Sequence, residues 1–350
     1  MAEVKVLIVD DSATVQDLLK DIFSSDHDLR VVGTASNGLE AVERAKTLQP
    51  DIITMDINMP VMNGLEAIER IMANNPRPIM VVTDLDHSKV AFAALSKGAL
   101  DVQQKSFLTM GQGADFIAKV KLLAKVKVIR HLQLKKDRGV AAVLAPLAPP
   151  APPVAPVPVA EKQVRAVAIA SSTGGPKALS QIFSDLDGGF PVPILVAQHM
   201  DDGFIAGLVE WLDGVSSLNV KLAQTGEMLR ANTAYFAPAG FHLAVSPTRR
   251  VSLVERARED IFHPSCNRLL QSAGDAYGAG CAGVILTGMG DDGVEGLRRI
   301  HERGGMTIAQ DEATSSVFGM PNVAINSGCV DRVLPLGDIG GALRHLATPN

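Results

Sequence analysis

The sequence has few cysteines, no long hydrophobic run and no excess of basic charge. Its three cysteines, Cys266, Cys281 and Cys329, are far apart and form no CxxC pair. This spacing favours buried thiols in a reducing compartment over a disulfide or a zinc site. No apolar run reaches the roughly 18 residues that are needed to span a bilayer. The formal net charge of -5 argues against nucleic acid as the main partner.

The first residues, MAEVKVLIVDD, predict a strand and not a signal peptide, because acidic residues end the apolar run after about five positions. We therefore expect a cytoplasmic protein without direct membrane insertion. The 350 residues are enough for two domains with separate cores.

Proline and alanine dominate residues 140–160, which read VAAVLAPLAPPAPPVAPVPVA. Proline removes backbone donors and favours an extended conformation, so this segment predicts a semi-rigid linker. The alternative, a loop within one domain, is less expected because unstructured loops of this length are unusual in compact domains. The predicted organisation is a first domain over residues 1–130, a linker over 131–162 and a second domain over 163–348.

Apolar runs alternate with segments of helical spacing on both sides of the linker, which predicts two α/β domains with doubly wound parallel sheets. In the first half, the predicted strands cover residues 5–10, 29–35, 51–56, 78–83 and 100–104, and the predicted helices cover 13–24, 38–48, 64–74, 89–97 and 115–130. In the second half the alternation returns, and residues 233–237, 243–246 and 250–255 predict a β-hairpin region.

Carboxylates follow two strands of the first half. Asp10 and Asp11 come at the end of the first predicted strand, and Asp56 comes at the end of the third. Functional residues gather at the carboxyl ends of strands in such sheets, and three converging carboxylates need a cation such as Mg2+. An aspartate beside this ion can attack a phosphoryl donor. Thr83 and Lys105, which follow the fourth and fifth strands, are placed to bind the phosphoryl oxygens.

This set of residues, with the segment MDINMPVMNG around Asp56, resembles a response-regulator receiver domain with a flavodoxin-like fold. The resemblance implies phosphorylation of Asp56 by a chemotaxis-type sensor histidine kinase. It also implies that Asp11, Asp56 and the carbonyl of Asn58 hold Mg2+, with Asp10 acting through water. One departure is Ser106, which stands where the family usually has proline, and it affects the loop that transmits the signal.

The segment AIASSTGGP in the second half follows a strand and opens a helix. It places Ser172 on a tight turn, where Thr173, Gly174 and Gly175 offer backbone N–H groups to a developing oxyanion. The pattern is close to the Gly-x-Ser-x-Gly turn of esterases. By itself it is more typical of a helix cap or a phosphate-binding turn.

A serine nucleophile needs a base and an acid that orients the base. His199 in VAQHM lies just past the next strand, and Asp291 and Asp292 in LTGMGDDG follow a buried strand. Each has a structural alternative, since single histidines are often structural and aspartates often cap helices. Three strand-end loops that each supply one member predict a Ser–His–Asp triad. The order Ser…His…Asp disfavours an ordinary lipase or esterase.

The segments SSTGGP, AQHM, VILTGMGDDG and IAQDEATSSVFGMPNVAI together resemble the catalytic domain of the chemotaxis protein-glutamate methylesterase (CheB) family, with a Rossmann-like α/β fold. The resemblance implies that Ser172 is the nucleophile, His199 the general base and then acid, and Asp292 the orienting acid. It places the backbone N–H of Met289 at the oxyanion. Asp291 stands where the family usually has asparagine.

A second departure is FHPSCNRLL, residues 262–270, where the family usually reads HRPSVDVLF. Phe262 and His263 replace His-Arg, and Asn267 replaces aspartate, so substrate contacts are expected to differ. His242 also matches a family position, and we interpret it as structural.

The implied function is a phosphorylation-activated methylesterase that hydrolyses glutamyl methyl esters on methyl-accepting chemoreceptors and releases methanol. Mg2+ would serve receiver phosphorylation only, and the ester hydrolysis would need no cofactor. Deamidation of receptor glutamines is a further activity in the family. Two alternatives are a receiver with a DNA-binding output and a catalytically inactive adaptor that binds receptor or kinase. The first predicts a basic recognition helix after the linker, and none stands out in the sequence.

Overall fold

The computed structural model describes residues 3–84, 88–108, 113–126, 128, 163–186, 188–257 and 259–348, without the side chains of residues 88, 89 and 107. The predicted linker over residues 131–162 lies outside these ranges, as do residues 129 and 130 of the last predicted helix of the first half.

The first domain is a five-stranded parallel sheet with helices between the strands, as the sequence predicted. The strands are β1 (Val4–Val9), β2 (Leu29–Ala35), β3 (Ile52–Met55), β4 (Ile79–Thr83) and β5 (Asp101–Gln104), in the spatial order β2-β1-β3-β4-β5. The helices are α1 (Ala13–Ser24), α2 (Gly38–Leu48), α3 (Gly64–Asn74), α4 (Ser88–Ser96) and α5 (Gly113–Leu123), and a 3-10 helix covers Lys105–Leu108. The direction in which successive strands are added to the sheet reverses beside β1. The carboxyl ends of β1 and β3 therefore form the edge of the sheet where a site is expected, which we call the site edge.

Side chains at the helix starts explain where the helices of the first domain begin. Ser12, Asn37 and Asn63 precede α1, α2 and α3, and each accepts a hydrogen bond from a backbone N–H in the first turn. Such N-caps satisfy backbone donors that have no partner within the helix. The loops after β1 and β3 therefore turn directly into helices, which holds the acidic residues of both loops at the sheet edge.

The second domain has a seven-stranded parallel sheet and a separate hairpin. The strands are β6 (Ala166–Ser171), β7 (Ile194–Gln198), β8 (Asn219–Leu222), β9 (Thr233–Phe236), β10 (Phe241–Val245), β11 (Val251–Glu255), β12 (Cys281–Ile285), β13 (Met306–Gln310) and β14 (Arg332–Leu334). The sheet order is β14-β13-β12-β6-β7-β9-β8. The hairpin prediction is correct for β10 and β11 but wrong for β9, which pairs in parallel with β7 and β8.

The helices of the second domain cover both faces of its sheet. They are α6 (Gly175–Asp185), α7 (Asp202–Val215), α8 (Cys266–Tyr277), α9 (Val294–Glu302), α10 (Met320–Asn326) and α11 (Leu336–Ala347). A 3-10 helix covers Gly278–Gly280. The predicted elements did not include α10, α11 and β8. The elements α10 and β8 are short, whereas α11 carries buried residues at helical spacing that are visible in the sequence. Within the described residues, no helix combines the length and the apolar character that crossing a membrane requires.

The two domains share an apolar contact between α4 and α7. The Phe92 ring stacks on Trp211 with centroids 5.9 Å apart and meets Phe204 edge-on at 6.1 Å. Beside it, the Gln103 amide donates a hydrogen bond of 2.9 Å to the Asp201 carboxylate. Val317 of the second domain packs into the apolar cluster of the first domain. The first domain therefore covers the side of the second domain where β6 and β7 end.

Substitutions at two glycines, one of them a control in the second domain, test how tightly the site edge of the first domain is packed. A Cβ at Gly64 would overlap the backbone oxygen of Asp56, which cannot move cheaply, whereas a Cβ at Gly214 in α7 meets nothing within 4 Å. We expect Gly64→Ala to lower the free energy of unfolding by about 1–3 kcal/mol through overpacking. The control Gly214→Ala should leave it unchanged or raise it by about 0.5–1 kcal/mol. Denaturant unfolding measures both, and equal effects would contradict the prediction.

Candidate active site

Ser172 lies in the turn between β6 and α6. Its backbone N–H donates to the Thr287 carbonyl at 3.0 Å, and its carbonyl accepts from Gly175 at 2.8 Å. Gly174 adopts a φ of +79°, and a Cβ there would come within 2.6 Å of Ser316. Glycine is needed at this position for both reasons. The turn thus holds Ser172, which is 9% exposed, at the start of the helix.

His199 follows β7, and a buried glutamine ties it to the serine turn. The His199 N–H donates to the Ser171 carbonyl at 2.9 Å. Gln198 accepts from the Ser171 hydroxyl at 2.7 Å and donates to the carbonyls of Ser172 at 2.8 Å and His199 at 2.9 Å. Three hydrogen bonds from one buried side chain fix the spacing of the two strand-end loops.

Asp292 lies in a cradle of donors between β12 and α9. One carboxylate oxygen accepts from the Cys266 N–H at 2.6 Å and contacts His199 Nε2 at 2.8 Å. The other accepts from the Asn267 N–H at 2.9 Å and from the Ser265 hydroxyl at 3.4 Å. The first N–H groups of α8 therefore bind the carboxylate, a favourable place for negative charge.

The protonation of the His199–Asp292 pair follows from these contacts. Burial by itself raises the pKa of the Asp292 carboxyl, but the hydrogen bonds from His199, Asn267 and Cys266 outweigh it and keep the pKa below its ordinary value. An ionised carboxylate only accepts hydrogen bonds, so Nε2 of His199 carries the proton. In the neutral ring, Nδ1 is then the free base.

Two backbone N–H groups near Ser172 have no acceptor. In the part of the chain that the structure describes, the N–H groups of Thr173 and Met289 donate to no other group. Gly288 comes so close that a Cβ there would lie 2.6 Å from the Ser172 Cβ. The Thr287 hydroxyl donates a hydrogen bond of 2.9 Å to the Thr173 carbonyl, which joins the loop after β12 to the serine turn. Free N–H groups beside a serine suit an oxyanion.

A cleft of about 600 Å³ contains the serine and the histidine and lies between the two domains. Ser172, Thr173, His199 and Met289 line it from the second domain, and residues of β5 and α5 line it from the first. The Phe262 ring stacks on His199 with centroids 5.2 Å apart. Groups of the first domain therefore form one wall of the cleft.

The three residues of 262–267 that differ from the usual family sequence lie at different places in the site. Phe262 and His263 line the cleft. The Asn267 side chain instead accepts N–H bonds from Gly293 at 3.0 Å and Gly296 at 2.9 Å, so it caps α9. This places Asn267 behind Asp292, in a supporting role.

Burial and the nearby Asp292 charge raise the pKa of the Cys266 thiol well above its ordinary value.

His242 is fully buried behind the cleft and has partners on both ring nitrogens. Nε2 lies 2.8 Å from the Asp260 carboxylate, and Nδ1 accepts from the Ser265 N–H at 2.8 Å. Since Ser265 caps α8, His242 supports the helix that binds Asp292, which agrees with a structural role.

The carboxylates of the first domain converge as the strand ends predicted. Asp10, Asp11 and Asp56 present oxygen atoms within 4.8 Å of one another, with Asp10 and Asp56 buried and Asp11 exposed. Lys105 Nζ lies 2.8 Å from Asp10 and 3.0 Å from Asp56. Burial raises the pKa of the Asp10 carboxyl, despite hydrogen bonds from Lys105 and Ser12 that oppose the shift.

The other predicted residues of this edge lie around Asp56. Burial alone would lower the pKa of the Lys105 ammonium, but its bonds to Asp10 and Asp56 outweigh this effect and raise the pKa. Thr83 is buried, and its hydroxyl has no hydrogen-bond partner among the residues that the structure describes. Asn58 is exposed in the loop after β3. A buried hydroxyl without a partner is unusual in a folded protein.

Sequence reasoning missed three supporting residues: Gln198, Thr287 and Cys266. Gln198 and Thr287 are polar residues at the ends of buried strands, a signal that was visible in the sequence. Cys266 gave no such signal, because its proximity to His199 depends on how α8 packs against β7. Its sulfur lies 3.3 Å from His199 Nε2.

Comparisons with known proteins agree with this architecture. A model of the CheB methylesterase family matches residues 167–343, and one of the response regulator receiver domain matches residues 6–112. A protein-glutamate methylesterase/protein-glutamine glutaminase of Anaeromyxobacter dehalogenans is 43% identical, over 98% of this chain and 97% of its own length. One from Paramagnetospirillum magneticum is 42% identical, over 98% and 96%. The Thermotoga maritima CheB methylesterase catalytic domain matches 53% of this chain and all of its own, with 39% identity and a TM-score of 0.50.

Fold and family models together define a response regulator whose output domain is an enzyme. The chain belongs to the CheB methylesterase family.

The hydrogen bond between His199 and Asp292 can be tested by a one-atom change. Asp292→Asn presents an amide where two backbone N–H groups, the Ser265 hydroxyl and Nε2–H require an acceptor, so His199 loses its orienting partner. We expect kcat for ester hydrolysis to fall about 10⁴-fold, the loss seen for this change in serine proteases. The control is Asp291→Asn, the exposed neighbour, which should retain activity within a few fold. Similar losses in both variants would contradict the assignment.

Proposed function

We propose that the chain is a phosphorylation-activated protein-glutamate methylesterase that removes methyl groups from glutamyl esters on chemoreceptors. The observation that carries this proposal is the bonded pair of His199 and Asp292 beside Ser172, in a cleft that the receiver domain borders. The relatives named above carry the methylesterase name over nearly the whole chain.

In the proposed reaction, the Ser172 oxygen attacks the ester carbonyl while Nδ1 of His199 takes the hydroxyl proton. Asp292 stabilises the imidazolium that forms. The carbonyl oxygen becomes an oxyanion that accepts from the N–H groups of Thr173 and Met289, at the turn formed with Gly174 and Gly175. His199 then returns the proton to the leaving oxygen, and methanol departs.

Water completes the proposed cycle by the same steps. His199 takes a proton from water, the hydroxide attacks the acyl-serine, and the Ser172 oxygen leaves with the proton from His199. The products are the receptor glutamate and free Ser172. General acid–base help typically contributes about 10²–10⁴-fold, and one oxyanion donor about 10²–10³-fold. No step requires a cofactor.

The receiver is proposed to accept a phosphoryl group on Asp56 from a sensor histidine kinase. The carboxylates of Asp10, Asp11 and Asp56 fit Mg2+, a hard cation that prefers oxygen ligands, and the exposed loop brings the Asn58 carbonyl to the same edge. When bound, Mg2+ would neutralise charge on the phosphoryl oxygens. The unpaired Thr83 hydroxyl would then donate to one of these oxygens, and Lys105 would move its charge toward them.

Control is proposed to act through the contact between the domains. The unphosphorylated receiver narrows access to Ser172, since β5 and α5 line the cleft. Phosphorylation would loosen the contact that Phe92 and Gln103 make with α7 and its N-cap. A 100-fold activation needs about 2.7 kcal/mol of coupling free energy, which is within the usual allosteric range.

We further propose domain limits at residues 1–130 and 163–348, with a linker between them that lets the domains reorient. The proposed partners are methyl-accepting chemoreceptors and a chemotaxis-type kinase in the cytoplasm. The named relatives are also protein-glutamine glutaminases, and deamidation is proposed as a second activity of the same site. Ammonia would then replace methanol as the leaving group.

Methanol release from methylated receptor membranes tests the proposed function. The protein is phosphorylated by a small-molecule donor, and Ser172→Ala and Asp56→Asn serve as matched variants. We expect release from the native chain, a loss of at least about 10³-fold in Ser172→Ala because the nucleophile is gone, and no activation by the donor in Asp56→Asn. Absence of release from the phosphorylated native chain would contradict the proposal and favour the adaptor interpretation.

The contact between the domains can be weakened without touching the site. Trp211→Ala removes the ring that stacks on Phe92. Since aromatic pairs contribute about 0.5–1.5 kcal/mol, we expect the activity of the unphosphorylated protein to rise about 2- to 10-fold. Val215→Ala, an exposed residue of the same helix, is the control and should leave it unchanged. An unaltered or reduced basal rate in a folded Trp211→Ala protein would oppose this mode of control.

A further inference from the structure

Cys266 brings a third metal-binding atom to the His199–Asp292 pair. His199 Nε2, Cys266 Sγ and an Asp292 carboxylate oxygen all lie within 4.8 Å of one another. The sulfur is 3.3 Å from Nε2, and the oxygen is 2.8 Å from it. These three atoms come from different loops, and none of the steps proposed above uses the thiol. We propose that they form an inhibitory Zn2+ site.

The donor set and its dimensions suit zinc. Imidazole nitrogen, thiolate sulfur and carboxylate oxygen are its usual protein ligands. Around a tetrahedral Zn2+ with bonds of ~2.0–2.3 Å, ligand atoms lie about 3.3–3.6 Å apart. The distances of 2.8 and 3.3 Å from Nε2 are shorter than this by a few tenths of an ångström. A small opening of the hydrogen bond between His199 and Asp292 therefore admits the ion.

The surroundings support the ligands. The Asp292 carboxylate is held by the N–H groups of Cys266 and Asn267, so its position is set before a metal arrives. Such supporting contacts orient metal ligands in proteins. Bound as thiolate, carboxylate and neutral imidazole, the three side chains balance the charge of Zn2+, which a buried site requires. The thiol proton passes to solvent when the Zn–S bond forms.

Of the three proposed ligand residues, His199 alone lines the cleft. Cys266 is fully buried and Asp292 is 1% exposed, whereas the His199 side chain is 13% exposed and lines the cleft. All three cysteines are free and buried, as the sequence predicted, and Cys281 and Cys329 lie outside the cluster.

Occupation of this site would stop the proposed reaction by fixing the histidine tautomer. The free chain carries the His199 proton on Nε2, which leaves Nδ1 as the base. A metal on Nε2 forces the proton of the neutral ring onto Nδ1. Nδ1 then has no lone pair with which to take the Ser172 proton. The inhibition therefore follows from the tautomer and does not require that zinc block the cleft.

Cobalt(II) absorption tests the binding part without any assay of activity. The full-length protein is titrated with Co2+ in excess Mg2+, which competes for the oxygen ligands of the receiver. We expect a near-ultraviolet thiolate-to-Co2+ band that Zn2+ abolishes. The band should persist in Cys281→Val, a matched change at another buried thiol, and be absent in Cys266→Val. A native chain without the band would overturn the proposal.

Zinc inhibition of methanol release tests the consequence, and this part rests on the proposed function. Each variant is compared with its own zinc-free rate, and a chelator should restore the rate. Cys266→Val, which carries the usual family residue, should need at least about tenfold more Zn2+ for half-inhibition than Cys281→Val. Equal zinc sensitivity in the two variants would overturn the proposal. Without methanol release in any variant, the proposed function fails, and the Co2+ band still decides the metal site.

Discussion

The hydrogen bond between His199 and Asp292 is the interaction on which the site depends, and its geometry is set by α8. Asp292 binds N–H groups of Cys266 and Asn267 at the start of that helix, so the carboxylate stays ionised although it is buried. An ionised carboxylate selects the Nε2–H tautomer of His199. This tautomer leaves Nδ1 as the free base that the proposed reaction requires.

Polar side chains around the His199–Asp292 pair support the same geometry. Gln198 joins the serine and histidine loops, and Asn267 caps the helix that follows Asp292. His242 supports Ser265 at the start of α8. The same closeness brings the Cys266 sulfur to Nε2, so the packing that orients the histidine also creates a set of zinc ligands. The packing that supports His199 is therefore also what exposes it to inhibition by the proposed zinc ion.

The contact between the receiver and the output domain lies close to the sites of both domains. The strand ends that carry Asp56 lie in the first domain, and β5, α4 and α5 of the same domain border the second. Phe92 is fully buried against Trp211 and Phe204, which makes the contact apolar and close-packed. An output that binds DNA, which the sequence left as an alternative, is wrong, because the second domain is a seven-stranded sheet of the CheB methylesterase family.

The sequence by itself determined the two α/β domains, the strand ends that carry Asp10, Asp56, Ser172 and His199, and the family. Alternating apolar runs and glycine turns involve residues that are neighbours in the chain, so they can be recognised from the sequence alone. Tertiary structure alone decided that β9 joins the main sheet, since β9 lies between β8 and β7, and α7 and β8 separate β7 from it along the chain. It also decided which nitrogen of His199 faces Asp292 and that Cys266 lies beside it, because these contacts join side chains from loops that are distant in sequence.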